Sequence, residues 1–292
     1  TFQNRPLDQP IQATVSFGPD GVSGILQTGL FTEPQDMVIA SRAVDILAVD
    51  IDQKKQFSGG INDTLAPGAY INGSLLTDQQ ITRQDIYRTL FKAKLASRYP
   101  RDPVLLVWMR PNNSHLDCPE GFRANHCSLV AVPLDYRATA PGTDVMIPST
   151  FLTYDVVVND SGGRSTAYDH RSASWRESLQ SSQTLLRVNI PDAVKPLTLK
   201  QVKIEIKLQA PSRTINIVAG NRENLVYAAS IDDAAGTYQL RLTDSAQLQL
   251  DPDGNYYVKL EVPPARGAAT TVEANKAWKV DFLRLEMLGR TT

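Results

Sequence analysis

The stretch Gln201-Val-Lys-Ile-Glu-Ile-Lys-Leu-Gln209 alternates strictly between apolar and charged or polar residues. Successive side chains of a strand face opposite ways, so Val202, Ile204, Ile206 and Leu208 enter a core while Lys203, Glu205 and Lys207 meet solvent. The same period of two recurs downstream at Ile215 and Ile217, from Leu225 to Ile231, and at Tyr238, Leu240 and Leu242. It continues at Leu248 and Leu250 and at Tyr256, Val258, Leu260 and Val262. Asp232-Asp-Ala-Ala-Gly236 and Asp251-Pro-Asp-Gly-Asn255 separate these segments with turn chemistry, proline presetting φ and glycine accepting a positive one. The second of these is read as a hairpin turn rather than a calcium loop, because the later bidentate glutamate is missing.

The last segment, Trp278-Lys-Val-Asp-Phe-Leu-Arg-Leu-Glu-Met287, changes phase midway. Trp278, Val280 and Phe282 point inward, then Leu283, Leu285 and Met287, so a β-bulge at Phe282 and Leu283 is expected. With Phe151 to Val158, Thr184 to Ile190 and a long strand from Leu197 to Leu208, the second half has the strand complement of a jelly-roll sandwich. The run from Val202 through Gly236-Thr-Tyr-Gln-Leu-Arg-Leu242 to Trp278-Lys-Val-Asp-Phe-Leu-Arg-Leu-Glu-Met-Leu-Gly289 resembles the galactose-binding-like jelly rolls of bacterial extracellular proteins. That resemblance lies in strand rhythm and a tryptophan-led final strand, and it implies the fold more than sugar binding.

The first half reads as short strands at Ala13 to Phe17, Gly24 to Thr28, Asp36 to Ala40 and Val44 to Ile51, interrupted by one helix near 82–98. Thr82 is its expected cap and Asp85 its capping-box partner. Ile86, Tyr87, Leu90, Phe91 and Leu95 form its apolar stripe opposite Arg83, Lys92 and Arg98. Pro103-Val-Leu-Leu-Val-Trp-Met109 follows as an almost wholly apolar central strand, and Ser128 to Leu134 as another. Gly21-Val-Ser-Gly-Ile-Leu-Gln-Thr-Gly29, Leu65-Ala-Pro-Gly68, the helix, Pro103 to Trp108 and Leu129 to Leu134 together resemble a soluble domain of bacterial membrane-anchored proteins. This likeness implies a place outside the cytoplasm beside a membrane, with the Gly21 segment a strand of a fibronectin-like sandwich.

The fold expected is mostly β: two β-sandwich-like domains, residues 1–147 with the inserted helix and residues 148–292 jelly-roll-like, meeting near Pro141 to Thr150. The chain of 292 residues is long enough for both.

Thirty basic and 31 acidic side chains leave a net charge of −1, which gives no electrostatic footprint for nucleic acid or an anionic membrane surface. No apolar stretch approaches the roughly 20 residues of a spanning helix, so no membrane insertion by this chain itself is expected, and a tether is expected in segments outside it. Cys118 and Cys127, the only cysteines, flank a short polar segment and are expected to form a disulfide, which favours an oxidising, extracytoplasmic compartment. A zinc site adding His115 and His126 lacks the short Cys-x2-Cys spacing, so neither metal nor cofactor is expected.

No HExxH, nucleophile elbow, phosphate loop or dinucleotide fingerprint is present. The densest polar cluster is Tyr168-Asp-His-Arg-Ser-Ala-Ser-Trp-Arg-Glu177. Here Trp175 is a candidate stacking surface, Arg171 and Arg176 candidate donors and His170 a candidate polar contact or, in a hydrolase, a general base. The bland reading is a surface loop whose tryptophan folds back on a sheet edge. Trp108 and Trp278 sit in strand patterns and are expected in the core. The functional expectation is a noncatalytic extracytoplasmic module with an envelope protein as partner. A carbohydrate-binding module comes second and a hydrolase using His170 third.

Overall fold

The computed structural model describes residues 10–41, 45–66, 68–73, 75–91, 102–111, 127–157, 167–169, 174–176, 183–211, 213–262 and 278–292. The chain is mostly β with one α-helix among the described residues.

The first lobe carries β1 (Gln12–Gly18), β2 (Gly21–Gln27), β3 (Phe31–Ala40), β4 (Ile46–Ala48), β5 (Asp50–Ile51), β6 (Gln56–Gly59), α1 (Asp78–Leu90), β7 (Val104–Pro111) and β8 (Ser128–Tyr136). Its strands form an 8-stranded sheet in the order β4-β3-β7-β8-β1-β2-β6-β5, with β1 and β8 parallel. The two edge strands are consecutive in sequence, separated only by Val49. The segment expected as one strand from Val44 to Ile51 therefore pairs with β3 through its first half and with β6 through its second, and the sheet curls closed on itself. Val15, Phe17, Leu26, Ile39, Phe57 and Leu105 fill its interior. Gly24 has no room for a side chain, because the Phe57 ring lies against it.

The apolar run of β7 has a direct cause. Leu105, Val107 and Met109 face the lobe's interior, while Val104, Leu106 and Trp108 face outward and pack with Val38, Ala40 and Tyr87 in a second apolar cluster. α1 covers that outer face, so β7 is buried on both sides. The helix starts one turn earlier than its sequence signal. Thr77 is the cap, its Oγ1 accepting from the Gln80 backbone N–H at 3.3 Å while Gln80 Oε1 accepts from the Thr77 N–H at 3.1 Å. Thr82, expected as the cap, instead donates its hydroxyl back to the Asp78 carbonyl at 3.0 Å. Ile86, placed on the buried stripe from its spacing, is exposed, and Tyr87 alone of the described helical residues is fully buried.

The second lobe comprises β9 (Asp144–Ile147), β10 (Thr153–Val156), β11 (Tyr168–Asp169), β12 (Ser174–Trp175), β13 (Gln183–Asn189), β14 (Leu197–Ala210), β15 (Ile215–Gly220), β16 (Leu225–Ile231), β17 (Ala234–Leu242), β18 (Tyr256–Glu261) and β19 (Lys279–Thr291). A 5-stranded sheet, β10-β13-β18-β15-β16, and a 4-stranded sheet, β17-β14-β19-β9, contribute their inner faces to one core. The deciding stretch lies in β14, where Val202, Ile204, Ile206 and Leu208 are fully buried between β17 and β19. The phase change of the last strand is real but sits one residue earlier than expected. Lys207 pairs with Phe282 and Leu208 with Val280, so Asp281 is the extra residue and Phe282 turns outward, under the Arg284 guanidinium at 4.9 Å.

Leu248 and Leu250 do not form a strand. Asp244 opens turns there, its carbonyl accepting from the Gln247 N–H and its carboxylate from the Ala246 N–H, both at 3.0 Å. The Asp251 turn is as expected: Gly254 takes φ 74°, and the Asp251 carboxylate accepts from the Asn255 N–H at 2.7 Å and the Tyr257 hydroxyl at 2.8 Å.

The lobes are packed together. A single apolar cluster runs from Ala13, Val15 and Phe17 into Val145, Ile147 and Phe151 and on through β14 and β19. Phe17 meets Phe151 edge-on with ring centres 5.1 Å apart, and Tyr136 closes the triangle. Behind them Asp45 of the first lobe pairs with Arg284 of β19, Oδ1 to Nε 2.6 Å, with the two side chains 5% and 14% exposed. Burial pushes the Asp45 carboxyl above the usual aspartate range, and the Arg284 charge opposes that push.

Candidate binding cleft

The cluster singled out between Tyr168 and Glu177 is only partly within the described residues. His170 and Arg171 lie outside them. Trp175 is half-buried on β12, which pairs with β11 through Tyr168 opposite Trp175. Its indole N–H donates to the Tyr154 hydroxyl at 3.2 Å, and Tyr154 donates on to the Leu283 carbonyl at 3.3 Å. The Tyr154, Tyr168 and Trp175 rings stand 4.6 to 6.1 Å apart, packed on the core. Burial raises the Tyr154 and Tyr168 phenols well above their ordinary range, so both stay protonated donors. Trp175 thus folds back on its own sheet, the arrangement the bland reading anticipated. Arg176 is exposed, and its backbone N–H bonds the Ala167 carbonyl at 3.0 Å.

Cys127 is an exposed free thiol, so the disulfide expected at this residue is not formed. The sulfur instead accepts from Arg83 Nη2 at 3.4 Å, held toward α1. Cys118, His115 and His126 lie outside the described residues. Among the described residues no group of three or more histidines, cysteines or carboxylates is placed to hold a metal, and no helix is long and apolar enough to cross a membrane. Trp108 and Trp278 are core residues, as expected.

Arg83 leads to a concavity that sequence reasoning missed. A cleft of about 250 Å³ opens between α1 and the ends of β3 and β7, lined among others by Glu33, Gln35, Arg83, Trp108, Arg110 and Cys127. It exists because β3 is irregular. Register shifts fall between Thr32 and Gln35 and between Gln35 and Val38, where Glu33 and Asp36 take left-handed φ of 52° and 44°. The bulges turn Asp36 under the helix. Its carboxylate pairs with Arg83 Nη1 and accepts from Gln80 Nε2 at 2.9 Å, and its carbonyl accepts from the Tyr87 hydroxyl at 3.0 Å.

Arg83 also donates to Gln35 Oε1 at 3.0 Å and lies 5.5 Å over the Trp108 ring. At the rim Arg110 pairs with Glu33 at 3.1 Å, both side chains half exposed. Trp108 is 6% exposed and its indole N–H has no acceptor. The cleft therefore offers donors on an aromatic wall, while Asp36 beneath it and the exposed Gln35 at its lip already accept from Arg83. In the sequence, the one trace of it is a charged Arg110 directly after six apolar strand residues.

No family model matches the chain, and no curated protein matches it. Among solved structures, a DUF3823 family protein from Bacteroides ovatus ATCC 8483 is 7% identical over 96% of each chain, with a TM-score of 0.12. At that score the likeness carries no argument about fold or role.

Proposed function

We propose that this chain is a noncatalytic extracytoplasmic module of a membrane-anchored bacterial envelope protein, holding or binding a protein partner. The observation that supports the reading is the continuous core shared by both lobes, reinforced by the Asp45 and Arg284 pair, which packs the lobes into one body. Such a body presents its surfaces at a fixed spacing, which is what a structural or docking module requires and what a hinged enzyme does not. The second lobe is read as a jelly roll of the galactose-binding-like kind, on the strength of its paired sheets and the β14 to β19 pairing. With Trp175 committed to Tyr154 and the core, the protein-docking role is preferred to sugar binding. Because Cys127 is a free thiol, the place outside the cytoplasm draws support from the sequence resemblance alone.

The test is a fusion of the full-length gene, through the end of this chain, to alkaline phosphatase and separately to a cytoplasm-active reporter. Phosphatase activity without signal from the cytoplasmic reporter is expected. The reverse pattern overturns the placement and with it the envelope role.

A further inference from the structure

We infer that the cleft between α1 and β7 is the docking point for a carboxylate-bearing residue of a protein partner, an inference that rests on the protein-binding role proposed above. The argument is one of unmatched chemistry. Among the described residues, Asp36 beneath the cleft is engaged by Arg83 and Gln80, and Gln35 at its exposed lip by Arg83. The unmatched group is a donor, the indole N–H of Trp108, in a side chain 94% buried by its 6% exposure and lining the same cavity. A buried N–H without an acceptor destabilises the fold, and an arriving oxygen relieves it. The ligand must therefore bring an acceptor.

The charge at the rim narrows its class. The Arg110 guanidinium is half exposed at the mouth, where it pairs with Glu33, and presents the planar fork that suits a carboxylate. Asp36 pairs with Arg83 from beneath. Among the described residues at the cleft, two arginines stand against two carboxylates. A cavity of about 250 Å³ holds a single side chain or chain end rather than a drug-sized molecule. Ile86, exposed on α1 against expectation, supplies an apolar wall for the aliphatic part of such a residue. Because the Trp108 N–H is closed to water as the side chains stand, entry requires a rim side chain to change rotamer.

Cys127 makes the site directly readable, since it lines the cavity and its thiol is exposed. In full chain carrying Cys118→Ser, the alkylation rate of Cys127 by N-ethylmaleimide is measured with three tripeptides: a blocked alanyl-alanyl-glutamate, its glutamine counterpart, and an alanine tripeptide with a free C-terminus. Severalfold slowing by one or both carboxylate peptides and none by the glutamine peptide is expected, and the pair that protects tells a side-chain from a chain-end carboxylate. Arg110→Gln and Trp108→Phe are each expected to raise the protecting concentration about tenfold, the worth of one charge-assisted hydrogen bond. Equal protection by the glutamine peptide, no protection at millimolar concentration, equal protection by inorganic phosphate, or undiminished protection in Arg110→Gln overturns the inference. Arg110 is a rim residue, so its variant keeps the test decisive if Trp108→Phe fails to fold. None of these outcomes bears on the reporter fusions, so the cleft and the envelope placement fail separately.

Discussion

Asp45 shows how one residue is held against its own preference. Its burial favours the neutral acid, and Arg284 compensates by pairing with the anion. Arg284→Leu leaves a buried carboxylate without its cation and is expected to cost about 3–5 kcal/mol in urea unfolding, whereas Asp45→Leu combined with Arg284→Met is expected to recover most of it. Protonation has opposite effects at different aspartates. Asp45 has a folded pKa above its ordinary 3.8, so the stability it lends is full at low pH and is lost as pH rises through that folded value. Asp281 is drawn below 3.8 by Lys279, and Asp251 is held below it by the backbone and side-chain donors of its turn. Their contribution is full above 3.8 and is lost as pH falls through their folded values. Stability measured against pH in Asp281→Asn is therefore expected to fall less steeply on the acid side than in the wild type, and in Asp45→Asn to lose part of its decline on the other. At this scale the sequence was least informative about function. Trp108 was legible as a core residue, but its unmatched N–H depends on neighbours from β3 and α1 that no local pattern connects.

At the scale of elements, strands with one wet face were plain in the sequence. β14 alternates because solvent and core lie on opposite sides, and that alone placed Val202 to Leu208. The misreadings share a cause, which is that local signals compete. Thr77 with Gln80 and Thr82 with Asp85 both spell a capping box, and only the packing of Tyr87 against Trp108 selects the first. Thr77→Ala is expected to cost about 1 kcal/mol, measured by thermal unfolding, and Thr82→Ala much less. The bulge in β19 was legible as a phase change but not to the residue. Deleting Asp281 removes the extra residue and leaves Phe282 and Val280 as consecutive partners of Lys207 and Leu208, so Trp278 and Val280 stay inward; that variant is expected to keep its near-ultraviolet circular dichroism and to lose only the contacts of Asp281 with Lys279, Lys207 and Gln209. Leu248 and Leu250 alternate without being a strand, because the Asp244 side chain offers the backbone a turn instead.

For the whole molecule, a mostly β chain with one inserted helix was expected and is present, but the union of its sheets in one core was not legible. Closure of the first sheet needs one short segment to pair with both edges, and the shared core needs Phe17 and Phe151, far apart in sequence, to meet. Neither is a local property. The central claim is that the lobes form one cooperative body, and native-state hydrogen exchange in increasing urea tests it most directly. The amides of β7 from Leu105 to Met109 and those of β14 from Ile204 to Leu208 are predicted to open with the same free energy and the same urea dependence, since each core is continuous with the other. Two distinct opening energies with smaller, separate urea slopes would contradict the account and make the lobes independent domains.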